Sequence, residues 1–326
     1  MKKRILAYGR LNEDQLAQLA EEFEVQTFND LASADDPDFR TALREAHGLI
    51  GASLAIPPAL LDEAPRLEAI ATISVGYDNY PVDDLTQRGI LLCNTPDVLT
   101  ETTADTGFLL IMAAARRAIE LAEWVKRGDW QASVGPEHFG SDVHGKTLGM
   151  IGFGRIGAAI ARRGALGFGM RVLYSNASPK PELEKELGAE RRELEALLAE
   201  SDFVCVTVPL TAETEHLIGE CEFALMKPSA IFVNISRGKV VHEAALINAL
   251  ELGRIRAAGL DVFEQEPLSP ESPLPTMANV VALPHIGSAT HETRTAMAQR
   301  AVDNLILALK GEPPISLVNE AARSTS

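Results

Sequence analysis

Three short apolar runs, each followed by a polar group, constrain this chain more than any other feature. They are Ala230-Ile-Phe-Val-Asn-Ile-Ser-Arg-Gly238, Ala257-Ala-Gly-Leu-Asp-Val-Phe-Glu-Gln-Glu-Pro267 and Val280-Val-Ala-Leu-Pro-His-Ile-Gly-Ser-Ala-Thr290. Near-continuous apolar runs of strand length mark the buried strands of a parallel sheet. Ligands of open α/β sheets bind beyond the carboxyl ends of such strands. Arg237, Glu266 and His285 therefore have one expected meeting place: a cation, a carboxylate and an imidazole facing one crevice.

The rest of the chain supports an α/β fold. Apolar runs at 4–8, 24–28, 48–52, 67–74 and 90–94 read as strands, and 12–23 as a helix with Asn12 as its N-cap. Short strands alternating with helices imply a parallel sheet. Residues 100–127 carry one long helical pattern with Thr102 or Thr103 as cap and Gly128 as its stop. A second α/β unit then runs from Lys146 to His285. The amphipathic stretch 291–311 is expected to return to the first domain, and the tail after Asn319 to fray. The predicted architecture is thus two Rossmann-like parallel-sheet domains, one flavodoxin-like and one dinucleotide-binding, with a cleft between them. Residues 1–99 and 288–326 form a discontinuous substrate-binding domain, and residues 100–287 the dinucleotide-binding domain.

The nucleotide signal is Gly152-Phe-Gly-Arg-Ile-Gly157, set between a strand pattern at 147–151 and a helix pattern at 158–163. Gly152 permits the tight turn, Gly154 lets the backbone approach a pyrophosphate, and Gly157 allows close helix–strand packing. The pyrophosphate is expected on the helix N-terminus, beside Phe153, Arg155 and Ile156, where N–H groups and the dipole favour anions. The next strand, 170–174, should end at the adenosine ribose. NAD sites usually place an acid there. Here no acid occurs between Arg155 and Pro181. Ser175, Asn176 and Ser178 suit a 2′-phosphate, with Lys180 or Arg155 adding charge. NADP(H) is the expected cofactor, with NAD(H) as the second. Pro209, Ile235, Asp261 and Gly287 complete the expected cofactor contacts.

The polar groups at the strand ends suggest hydride transfer to a carbonyl next to a carboxylate. Arg237 can hold a 2-oxo acid at its carboxylate and ketone oxygen through the planar guanidinium fork. His285 is the only one of seven histidines at the end of an apolar strand run. As an imidazolium it can protonate the carbonyl oxygen. Glu266 is expected to bond the far ring nitrogen, with Glu264 a competitor by position. Asp261 supports Arg237, His285 or the nicotinamide. In the first half, the N–H groups of Val75 and Gly76 form a candidate nest for the substrate carboxylate, although Gly76 also suits a plain turn. Ser288 is a further substrate-binding candidate.

Composition narrows the field. At 326 residues and 46% hydrophobic content the chain can bury two cores. It lacks the run of about 18 apolar residues a membrane span needs. Residues 1–10 suit a first strand better than a signal peptide. Cys93, Cys205 and Cys221 show no metal-ligand spacing, and a reducing cytoplasm is the expected home. A net charge of −16 and no basic block argue against nucleic acid. The same charge repels an anionic substrate, so local groups must attract it.

These residues resemble the D-isomer-specific 2-hydroxyacid dehydrogenase family. Asn234-Ile-Ser-Arg-Gly238, Asp261-Val-Phe-Glu-Gln-Glu-Pro267 and Pro284-His-Ile-Gly-Ser-Ala-Thr290 match its three signatures, and Gly152–Gly157 its nucleotide loop. Asp142-Val-His-Gly-Lys-Thr-Leu148, Ser201-Asp-Phe-Val-Cys205 and residues 284–294 are similar to its bacterial glyoxylate/hydroxypyruvate reductase B and 2-ketogluconate reductase branch. The resemblance implies Arg237 as substrate binder, Glu266 as partner, His285 as acid/base, and a homodimer built through the cofactor domains. Relatives in that branch carry arginines where this chain has Ala177 and Ser178. Phosphoglycerate dehydrogenases carry an acidic ribose-binding residue, and formate dehydrogenases a Gln in place of Glu266. The alternative to an enzyme is a nucleotide-sensing binding protein, like the family's transcriptional corepressors. For substrate size, the segment 130–139 is expected to reach a pocket, of its own chain or a partner's.

Overall fold

The computed structural model describes residues 2–29, 31 and 33–324. It divides into two compact units: Met1–Leu99 with Thr290–Ser326, and Thr100–Ala289. Both are α/β with an all-parallel sheet.

The first unit holds β1 (Arg4–Tyr8), β2 (Glu24–Phe28), β3 (Gly48–Gly51), β4 (Ala69–Thr72) and β5 (Leu91–Cys93), in the order β2-β1-β3-β4-β5. The central β3 and β4 are buried throughout, whereas edge strand β2 is largely accessible. Between β1 and β2 runs the helix Glu13–Glu22. Asn12 caps it reciprocally with Gln15, a capping box that satisfies two otherwise orphaned N–H groups. The helix His291–Leu309 belongs to this unit and lies against β3, β4 and β5.

The expected frayed tail is corrected here. Asn319 is buried; its Oδ1 accepts from the Leu92 N–H at 2.8 Å and its Nδ2 donates to the Ile90 carbonyl at 2.9 Å. A 3-10 turn, Glu320–Ser324, follows, with Ala322 fully buried. Edge strand β5 has unpaired main-chain groups, and the tail is tied down because it supplies their partners.

The second unit holds β6 (Thr147–Ile151), β7 (Arg171–Ser175), β8 (Glu190–Arg191), β9 (Phe203–Val206), β10 (Ile231–Asn234), β11 (Ala257–Leu260) and β12 (Val280–Ala282). Their order is β12-β11-β10-β9-β6-β7-β8. Succession runs one way from β6 to β8 and the other way from β9 to β12. The reversal falls between β6 and β9, where such sheets bind ligands.

The single helix expected over 100–127 is two helices, Thr100–Ala115 and Ala118–Lys126. Arg117 takes a left-handed φ of 52° between them. The cause lies 26 residues on: the Ser141 N–H bonds the Ala115 carbonyl at 2.8 Å, taking an acceptor that a continuous helix would use internally. Thr102 and Thr103 lie inside the first helix, so neither caps it. Gly128, with φ 78°, does end the second. Among the described residues no helix is long and apolar enough to cross a membrane.

Candidate active site

Adjacent parallel strands β10, β11 and β12 deliver the three expected polar groups within the second unit. At the end of β10, buried Asn234 organises the turn. Its Oδ1 accepts from the Ser236 N–H and hydroxyl, each at 3.0 Å, and its Nδ2 donates to the Arg237 carbonyl at 3.0 Å. The Arg237 guanidinium donates through Nη1 to the Ser236 carbonyl at 2.9 Å. Gly238 is needed for contact: a Cβ there would lie 1.8 Å from the Phe263 carbonyl carbon. Any side chain would push the Arg237 turn away from the segment that carries Glu266.

Glu266 is held at both oxygens. Oε1 accepts from the Phe263 N–H at 3.0 Å, and Oε2 lies 2.7 Å from His285 Nδ1. Burial alone would raise its pKa. The His285 hydrogen bond, the Phe263 amide and the charges of His285 and Arg237 outweigh burial and hold the carboxyl below its ordinary value. Glu266 is therefore an anion at neutral pH. With Nδ1 engaged, Nε2 is the ring nitrogen left to exchange a proton outward, and the side chain is 47% exposed. Glu264, the competitor by position, faces elsewhere. Its Oε1 accepts from the Glu243 N–H at 2.9 Å and lies 3.2 Å from His216 Nε2.

His285 has a φ of 53°, a left-handed conformation that costs a non-glycine residue about 1–2 kcal/mol. Asp261, just past β11 and 1% exposed, holds the turn in place. Its Oδ1 accepts from the Ile286 N–H at 2.7 Å and its Oδ2 from the Gly287 N–H at 2.8 Å. Burial pushes its pKa up against the lowering effect of these two amides. Of its three expected roles, support of the His285 turn is the one these bonds describe. Asp261→Asn keeps the size but turns one acceptor into a donor facing a buried N–H. The expected loss is about 1–3 kcal/mol, read as a lower denaturation midpoint. An unchanged midpoint would mean these bonds do not hold the turn.

The glycine loop lies at the strand-order reversal. Gly152 has φ 89°, and a Cβ there would meet the Thr207–Val208 backbone at 2.9 Å. The helix Arg155–Arg162 begins directly after Gly154, so its first-turn N–H groups have no acceptor inside the helix. Nothing lies within 4 Å of a Cβ built at Gly154. The loop thus fits a dinucleotide pyrophosphate. The Phe153 ring is buried on Tyr174, centroids 4.5 Å apart, and its N–H donates to Asn176 Oδ1 at 3.1 Å. Asn176 also donates to the Ser178 carbonyl at 2.9 Å, so it ties the segment after β7 to the glycine loop. Ser175 ends β7, and Lys180 spends its N–H on Tyr174 Oη at 2.9 Å. Pro209 follows β9, its carbonyl accepting from the Thr214 hydroxyl, and buried Ile235 follows β10.

Val75 and Gly76 belong to the first unit, beyond β4, where Asn94 Nδ2 donates to the Val75 carbonyl at 2.9 Å. Sequence reasoning left Asn234 and Gly238 without a role. An Asn closing a buried strand and a Gly behind an Arg were the available signals.

A doubly wound parallel sheet with a glycine loop at its reversal, and an Arg beside a Glu–His pair, defines the class: this is an NAD(P)-dependent oxidoreductase. The family model for the D-isomer specific 2-hydroxyacid dehydrogenase NAD binding domain matches residues 108–287. Glyoxylate/hydroxypyruvate reductase B of Yersinia enterocolitica is 54% identical over 98% of this chain and 98% of its own. The Cronobacter sakazakii protein of that name is 54% identical over 99% of each chain. Among solved structures, an NADPH-dependent glyoxylate/hydroxypyruvate reductase from Sinorhizobium meliloti, in complex with NADP and malonate, is 35% identical with a TM-score of 0.86, covering 99% of this chain and 98% of that one. The chain belongs to the D-isomer-specific 2-hydroxyacid dehydrogenase family.

Proposed function

We propose that the protein reduces a small 2-oxo acid, glyoxylate or hydroxypyruvate, to the D-2-hydroxy acid with NADPH, with 2-ketogluconate as a longer candidate substrate. The observation that carries the chemistry is the 2.7 Å contact between His285 Nδ1 and Glu266 Oε2 at the end of the strand beside the one leading to Arg237. The names of the relatives at 54% identity support the substrates. A bound nicotinamide supplies the hydride. Arg237 binds the carboxylate and ketone oxygen and withdraws charge from the carbonyl. Protonated His285 gives its proton from Nε2 to the oxygen, and ionised Glu266 orients the ring through Nδ1. Ser288 is assigned to the substrate, and in the first unit the N–H groups of Val75 and Gly76 to its carboxylate.

The glycine-loop amides and the segment after β7 are assigned to the cofactor, together with Pro209, Ile235, Asp261 and Gly287. The absence of an acid between Arg155 and Pro181 supports NADPH. Exposed Leu109, Ile119, Val125, Trp130 and Phe139 support a homodimer. Three free cysteines suit a reducing cytoplasm.

The test is the loss of reduced-nicotinamide absorbance with each 2-oxo acid and both cofactors. A higher kcat/KM with NADPH than NADH is expected, for glyoxylate or hydroxypyruvate. No turnover of any acid in the panel would sink the reading. Ser175→Asp should shift preference toward NADH by about tenfold or more, since like charges brought together cost several kcal/mol. A variant with the parent's cofactor ratio would remove Ser175 from the ribose site.

A further inference from the structure

We propose that Arg191 is the residue that recognises the cofactor's 2′-phosphate, supplying from β8 a guanidinium to the uncharged stretch from Tyr174 to Pro179. This rests on the NADPH reading above and names the group that enforces it. In the register of the sheet, Arg191 lies beside Tyr174, one residue before Ser175. Its Nη2 crosses to the segment after β7 and donates to the carbonyls of Asn176 at 3.1 Å and Ala177 at 3.4 Å. The guanidinium is thus anchored on the stretch that carries Ser175, Asn176 and Ser178. That stretch itself holds no charged side chain from Tyr174 to Pro179.

The surrounding charges single Arg191 out. The other arginines of β7 and of the chain just after β8 are consumed: Arg171 and Arg192 each pair with both Glu190 and Glu200. Two cations against two anions leave that cluster neutral. Glu184, on the helix that follows the segment, accepts from the Tyr174 hydroxyl at 2.5 Å. Arg191 pairs with no carboxylate among the described residues and adds its positive charge to this segment, which ends at Lys180. A guanidinium bonded through one nitrogen to main-chain carbonyls keeps further N–H groups of its fork for a dianion, and such charge-assisted bonds are the strong ones. Asn176 strengthens the arrangement, because its side chain ties the segment under Arg191 to the Phe153 amide of the glycine loop.

The test uses calorimetric binding of 2′,5′-ADP and 5′-ADP to the full-length protein, with kcat/KM for NADPH and NADH alongside. The parent should bind 2′,5′-ADP more tightly than 5′-ADP. Arg191→Gln should weaken 2′,5′-ADP by about ten- to a hundredfold, the range of hydrogen bonds to a charged group, and leave 5′-ADP nearly unchanged. Arg191→Lys should recover part of the loss. If Arg191→Gln keeps the parent's preference, the assignment is overturned while the NADPH reading stands. If it weakens both nucleotides equally, Arg191 only shapes the segment, and the assignment also fails. A parent without preference for 2′,5′-ADP would overturn the NADPH reading itself, and Arg191's role with it.

Discussion

Arg237→Ala is expected to lower kcat/KM for 2-oxo acid reduction by about a thousandfold or more, with kcat falling and KM rising together. Loss of one preorganised donor to a developing oxyanion costs about 10²–10³ in kcat, and this variant also loses substrate binding. The side chain acts from a turn that Asn234 fixes on both sides, so its aim is set before substrate arrives. Arg237→Lys should recover little, because an ammonium cannot present two parallel N–H bonds. Steady-state kinetics over a range of 2-oxo acid concentrations reads both parameters. A lysine variant close to the parent would rule out the bidentate role.

The second large effect concerns proton supply. His285→Ala should lose about 10²–10⁴ in rate, the usual contribution of a positioned general acid. Glu266→Gln should show a distinct phenotype. Glu266 is an anion held below its ordinary pKa by the His285 hydrogen bond among other causes, and its Oε2 lies 2.7 Å from His285 Nδ1. Gln keeps a hydrogen-bonding oxygen but removes that charge. Reduction needs the proton, so the alkaline fall of kcat/KM should move to lower pH in the variant, which should keep activity mainly on the acid side. Profiles of parent and both variants decide it. The same alkaline limit in parent and Glu266→Gln would show that the carboxylate does not tune the acid. Because Glu264 is turned toward Glu243 and His216, it is no substitute.

Much of this was legible in sequence because buried parallel strands announce themselves. Runs such as 231–234 and 257–260 have no polar alternation to blur them, and the groups after them inherit a known side of the sheet. Asn12 was readable as a cap because its partner Gln15 lies three residues away. What escaped depends on distant partners. The helix break at Arg117 is set by Ser141, and the ordered tail by Asn319 reaching β5. Arg191 escaped because its strand is two residues long and leaves almost no periodic signal. The role of Asp261 stayed open among three because carboxylate–amide bonds across 25 and 26 residues have no local signature.

The left-handed backbone at His285 narrows the evolutionary routes open to this position. Asn, Asp and Gly tolerate such a φ far better than β-branched or bulky residues. A lineage that gave up hydride chemistry while keeping its nucleotide site could exchange the histidine for one of these three with its turn undisturbed. Replacement by Val, Ile or Thr would meet a backbone penalty as well as the loss of the acid. The alphabet available at residue 285 is therefore written by the fold as well as by the reaction, and descendants that only bind nucleotide should be enriched there in small residues that accept the same turn.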